Sequence, residues 1–146
     1  MSTYTIIKKV ETRGAEISMC SDGIMRVMYK KNEEIDSSVI KDLIENYNKL
    51  VEGKKYPYIY FTEDNSVTFG NDVRAYFKQN EHAFPKICDA FIVKSLAQKL
   101  IANFYLKFNK PTYPSKVFNN MADAESWCLL QSQKYQNTKT LNLRHL

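Results

Sequence analysis

Glycine and proline are scarce, with four of each in 146 residues, and that scarcity excludes collagen-like and low-complexity chains. So few glycines leave no Gly-rich phosphate loop, and neither a GxSxG elbow nor an HExxH pair occurs. Histidine appears only as His82 and His145, which excludes a catalytic or metal cluster built on imidazoles. The three cysteines, Cys20, Cys88 and Cys128, are an odd number without short paired spacing. They exclude a disulfide framework and a zinc knuckle, and reduced, buried thiols are expected instead. No stretch approaches the ~20 uncharged apolar residues of a membrane span. Met1 to Thr12 mixes Lys8, Lys9 and Glu11 into a short apolar patch, which is not the pattern of a targeting segment. A cytosolic protein is expected.

What is present is ordinary globular usage, 44% hydrophobic and 25% charged, in a chain long enough to bury one core. The 21 Lys and Arg exceed the 16 Asp and Glu by five, a modest excess that steers anionic partners without selecting one. The lysines lie singly or in pairs such as Lys8/Lys9, Lys30/Lys31 and Lys54/Lys55, and nucleic-acid arms carry longer basic runs. A solvated surface is the simpler explanation.

Hydrophobic periodicity then places the elements. Tyr4 to Val10 reads as an edge strand, and Ala15 to Cys20, Ser21-Asp22-Gly23 and Ile24 to Tyr29 read as a hairpin. Asp36 or Ser37 caps an amphipathic helix carrying Val39, Ile40, Leu43, Ile44, Tyr47, Leu50 and Val51 inward, with Gly53 as its left-handed end. A buried strand follows at Tyr56 to Phe61, with Pro57 near its start, where a missing donor costs least. A short helix covers Asn71 to Gln79, a strand Cys88 to Val93, and Ser95 caps a helix with Leu96, Leu100, Ile101, Phe104, Tyr105 and Phe108 on its apolar face. Lys116 to Phe118 is a last short strand, and Asn120 caps a final helix with Met121, Ala124, Trp127 and Cys128 inward. The sum is an α/β domain over residues 1–135, with a mixed sheet of about five strands and about four helices. An N-terminal antiparallel hairpin leads into parallel crossovers. Residues 136–146 are expected as a loosely ordered tail whose Leu141, Leu143 and Leu146 are available for docking.

Few residues carry chemistry. The thiols fall on strands or on an inward helix face, and the acidic pairs Glu33/Glu34 and Glu63/Asp64 fall in polar loops where solvated charge is the default. Asn103 to Phe118 interleaves aromatics with lysines, a pattern able to stack bases and hold phosphates. Phe104, Tyr105 and Phe108 fit a helix core face better, which disfavours nucleic acid.

The passage Asp89-Ala90-Phe91-Ile92-Val93 to Ser95, then Ala102 to Leu106, Asn109-Lys110-Pro111, and Pro114 to Phe118 with Ala124 and Trp127, resembles an uncharacterised bacterial family of small proteins similar to the STAS and SpoIIAA-like domains. With the hairpin it spans roughly Ala15 to Leu130. The resemblance implies a SpoIIAA/STAS-like fold and a regulatory role. In anti-sigma-factor antagonists of that fold a serine at a helix start is phosphorylated, and Asp72 and Val73 occupy the matching positions here. Neither carries the hydroxyl that is phosphorylated there, although Asp72 places a negative charge near a helix N-terminus.

The expected protein is therefore a non-catalytic regulatory or protein-binding domain without a cofactor or metal, acting on a protein partner or on itself. In a parallel sheet the loops beyond the strand C-termini form one rim. Glu63, Asp64, Asn71, Asp72, Lys94 and Ser95 are the partner-binding candidates there. The alternative is a small-molecule or lipid pocket walled by Tyr58, Tyr60, Phe104 and Tyr105.

Overall fold

The computed structural model describes residues 3–31, 33–64, 67–109 and 111–144. Strand β1 (Ile6–Glu11) pairs antiparallel with β2 (Ala15–Cys20), which pairs antiparallel with β3 (Met25–Tyr29). The β2–β3 turn works as its residues predict. Gly23 takes φ +80°, and the Asp22 carboxylate accepts the Ile24 N–H at 3.2 Å. Beyond β3 the sheet is parallel through β5 (Tyr56–Thr62), β7 (Lys86–Ile92) and β8 (Ser115–Phe118), giving six strands in the order β1-β2-β3-β5-β7-β8. Two short strands in the connecting loops, β4 (Glu34–Ile35) and β6 (Thr68–Phe69), pair parallel with each other. The described residues also form four α-helices: α1 (Ser37–Val51), α2 (Val73–Asn80), α3 (Leu96–Asn109) and α4 (Met121–Arg144).

Because β3, β5, β7 and β8 advance across the sheet in chain order, right-handed crossovers direct the intervening helices to one face. There α1 buries Val39, Ile40, Leu43, Ile44, Tyr47 and Val51 against Ile17, Val27, Tyr58 and Tyr60, with Val73, Tyr76 and Phe77 of α2 beside them. Full burial of such side chains contributes about 1.5–3 kcal/mol each. The Asp36 carboxylate caps α1 by accepting the Val39 N–H at 3.0 Å. The left-handed end begins at Glu52, φ 50°, one residue before Gly53 at 83°.

α4 follows the last strand and is free of that crossover rule. It packs on the opposite face, where Ala124 and Cys128 meet Ile24, Ile59, Cys88 and Ala90. It crosses β7 and β5, and its Glu125 reaches Arg26 of β3.

Two expectations are corrected. Residues 136–144 are not loose, because α4 runs on without a break through Arg144, with Leu141 and Leu143 exposed. The physical reason is that helix hydrogen bonding propagates at low cost from an anchored segment, with no apolar stripe required. Trp127 lies only half inside, against Phe118 at 5.5 Å between ring centroids. Ser66, His145 and Leu146 lie outside the described residues, as do the side chains of Phe104, Tyr105 and Phe108.

Candidate functional site

The rim at the C-terminal ends of the parallel strands holds the six partner-binding candidates in two groups. After β5, Glu63 donates its N–H to the Tyr29 carbonyl at 3.0 Å and accepts the Lys31 N–H on its carboxylate at 3.1 Å. The Asp72 carboxylate accepts the Ser37 N–H at 3.3 Å. These three bonds tie together the loops that carry β4 and β6, with Asp64 and Asn71 exposed beside them. The second group opens α3. Ser95 Oγ accepts the Gln98 N–H at 3.1 Å while Gln98 Oε1 accepts the Lys94 N–H at 2.9 Å, a close variant of the capping box. The Glu63, Asp72 and Ser95 side chains thus all accept backbone N–H groups, and the Lys94 N–H is held by the Gln98 side chain.

A constellation that sequence reasoning missed lies inside. Between Tyr56/Lys86 and Pro57/Cys88 the register advances one residue on β5 and two on β7. Ile87 is the extra residue of a bulge just before the Pro57–Cys88 pair, and Pro57 has no N–H to give to a ladder. Strict alternation would place Lys86 and Asp89 on opposite faces. The bulge turns both toward α1, where Lys86 Nζ meets Asp89 Oδ1 at 3.0 Å with both side chains buried.

Aromatic rings enclose the pair. Lys86 Nζ stands 4.5 Å from the ring centroids of both Tyr60 and Phe84, and 5.3 Å from that of Tyr58. Tyr60 stacks between Tyr29 and Tyr58, and its hydroxyl donates to that of Tyr47 at 3.2 Å. Burial pushes the Lys86 ammonium below its ordinary range and the Asp89 carboxyl above its own, while each partner's charge opposes the shift. Burial likewise raises the Tyr47, Tyr58 and Tyr60 hydroxyls. The rings touch one another at 5.0–6.2 Å between centroids, so this face is filled by side chains. That packing removes the space an apolar ligand would need around Tyr58 and Tyr60.

On the α4 side, Arg26 of β3 takes the Asp22 carboxylate in a two-pronged bond, 3.0 and 2.8 Å, and pairs with Glu125 of α4. Tyr4 covers the guanidinium at 3.6 Å. Next to this lies a shallow groove of about 140 Å³ bounded by Tyr4, Ile6, Cys20, Met28 and Phe61. β1 closes the groove and the sheet together, with Ile6 51% and Ile7 60% exposed. Among the described residues no three His, Cys, Asp or Glu side chains converge as metal ligands, and no helix is long and apolar enough to cross a membrane.

Residues 18–132 match the family model described as a domain of unknown function (DUF7793), and the chain belongs to that family. The match begins within β2 and ends within α4, so β1 and the last turns of α4 lie outside it. No curated protein and no solved structure matches the chain.

Proposed function

We propose that this DUF7793 domain is a non-catalytic, cytosolic regulatory module of STAS-like type that works by holding a protein partner. The observation that carries this reading is the free edge of β1. An edge strand offers a row of unpaired N–H and C=O groups, and natural edges are normally blunted by charge, brevity or cover. Here six residues run along the edge, with Ile6 and Ile7 open to solvent, Lys8, Lys9 and Glu11 beside them, and a shallow groove behind. An extended segment of a partner can add there as a further strand, with main-chain hydrogen bonds supplying affinity and side-chain contacts supplying selectivity. Lys9 is already paired with Glu16 at 2.8 Å, and Lys8 projects from the same edge, which favours a segment that alternates apolar and acidic residues.

The polar rim is the competing surface, and its carboxylates already accept backbone hydrogen bonds. Three chains separate the two by their capture of a partner recovered with the wild type: wild type, Ile7→Glu, and the double variant Asp72→Lys/Lys94→Glu. We expect Ile7→Glu to lose the partner and the double variant to keep it. The reverse pattern moves the interface to the rim, and retention by both variants overturns the edge reading.

A further inference from the structure

Cys88 on β7 and Cys128 on α4 are the two fully buried thiols of the junction that joins α4 to the sheet. Their Sγ atoms are 3.9 Å apart, with Cys88 donating to Cys128 and Cys128 donating in turn to the Tyr58 carbonyl oxygen at 3.9 Å. A disulfide needs the sulfurs at about 2.05 Å, so closing the gap asks for a shift of about 2 Å shared between two side chains. Cys20, the third thiol, sits on β2 and donates to the Ser18 carbonyl instead.

We propose that Cys88 and Cys128 are an oxidative modification site, a reversible latch that fastens α4 to β7. The oxidant is a hydroperoxide, with hydrogen peroxide the simplest. One sulfur attacks a peroxide oxygen, the O–O bond breaks, and a sulfenic acid and one water result. The second sulfur then attacks the sulfenic sulfur, the S–O bond breaks, the S–S bond forms and a second water leaves with the remaining thiol proton. The two sulfurs give up two electrons and the peroxide is reduced to two waters.

The environment makes this latch slow and selective. Contact with Cys128 and burial both push the Cys88 thiol well above its ordinary range, so little thiolate is present. Attack therefore waits on partial opening of α4. Once one sulfur is oxidised and the helix closes, the second is already in place, and bridging outruns further oxidation. Closure ties together the ends of a segment that contains α3 and β8, which narrows the unfolded ensemble.

The test uses the wild-type chain. Native protein is exposed to hydrogen peroxide, remaining thiols are blocked, and intact mass is read together with a non-reducing peptide map. We expect a monomer that has lost two hydrogens, a Cys88 peptide linked to a Cys128 peptide, Cys20 still blockable, and a raised urea midpoint that dithiothreitol returns to its starting value. Cys20→Ser should form the same bridge. A bridge through Cys20, an intermolecular bridge, oxygenated thiols without a bridge, or intact thiols where glutathione controls are oxidised would each overturn the proposal. The map is made on the wild type, so the outcome does not depend on whether a Cys128 variant folds.

Discussion

Lys86 and Asp89 are tolerable inside the protein only as a pair, because a lone ion there would lack both solvent and a counter-charge. Lys86→Met should destabilise by about 3–5 kcal/mol, because it leaves the Asp89 carboxylate buried without its counter-charge, and adding Asp89→Asn should recover part of that loss, in urea unfolding. Additive losses would show that the two charges are not coupled. The pair also has a pH signature. Burial holds Asp89 above its usual 3.8, so between 3.8 and the raised value the folded chain keeps a proton that the unfolded chain has released. Through this group, wild-type stability rises as pH falls through that window. Wild type should therefore gain stability relative to Asp89→Asn from pH 7 toward pH 4, in urea unfolding at each pH. Trp127, half-buried against Phe118, makes a smaller claim on the core. Trp127→Ala should cost about 2 kcal/mol, short of the 3–5 kcal/mol seen when a buried aromatic is removed.

The helices divide by what their sequences advertise. α1 has a capping carboxylate and six inward side chains at three- and four-residue spacing, and both signals are local. The Ser38 hydroxyl and the Val39 N–H hold the Asp36 carboxyl below its usual range. A depressed carboxyl contributes stability above its unfolded pKa and loses it as pH falls through the folded value. Asp36→Ala should therefore lower stability at pH 7 and converge on the wild type in strong acid, in thermal melts across that range. The last turns of α4 carry no apolar stripe and gave no sign of helix, although they extend a helix anchored earlier by Ala124 and Cys128. Removing residues 137–144 should reduce far-UV ellipticity yet leave unfolding free energy within about 0.5 kcal/mol, as exposed sites usually do. A larger loss would place those turns in contact with the body.

At the scale of the whole molecule the sheet is shared by two half-cores, one under α1 and α2 with the tyrosine stack, the other under α4 with the single Trp127. Both rest on the same parallel strands, so neither persists without the other. Tyrosine near-UV signal and Trp127 emission should trace one coincident urea transition, and separated midpoints would show that the faces unfold independently. Composition and periodicity alone determined the α/β class, the hairpin, α1, the buried strands and the inward thiols, because each is encoded within a window of a few residues. Four features were decided by tertiary structure. The bulge that turns Lys86 beside Asp89 depends on Pro57 of a neighbouring strand, and β4 finds β6 only once β3 and β5 are side by side. Likewise, α4 took the uncovered face and thereby brought Cys128 to Cys88 and Glu125 to Arg26. Local patterning specifies which face of an element turns inward. Which residue it meets there depends on chain-distant strands and helices packing together, and no short window of sequence contains that information.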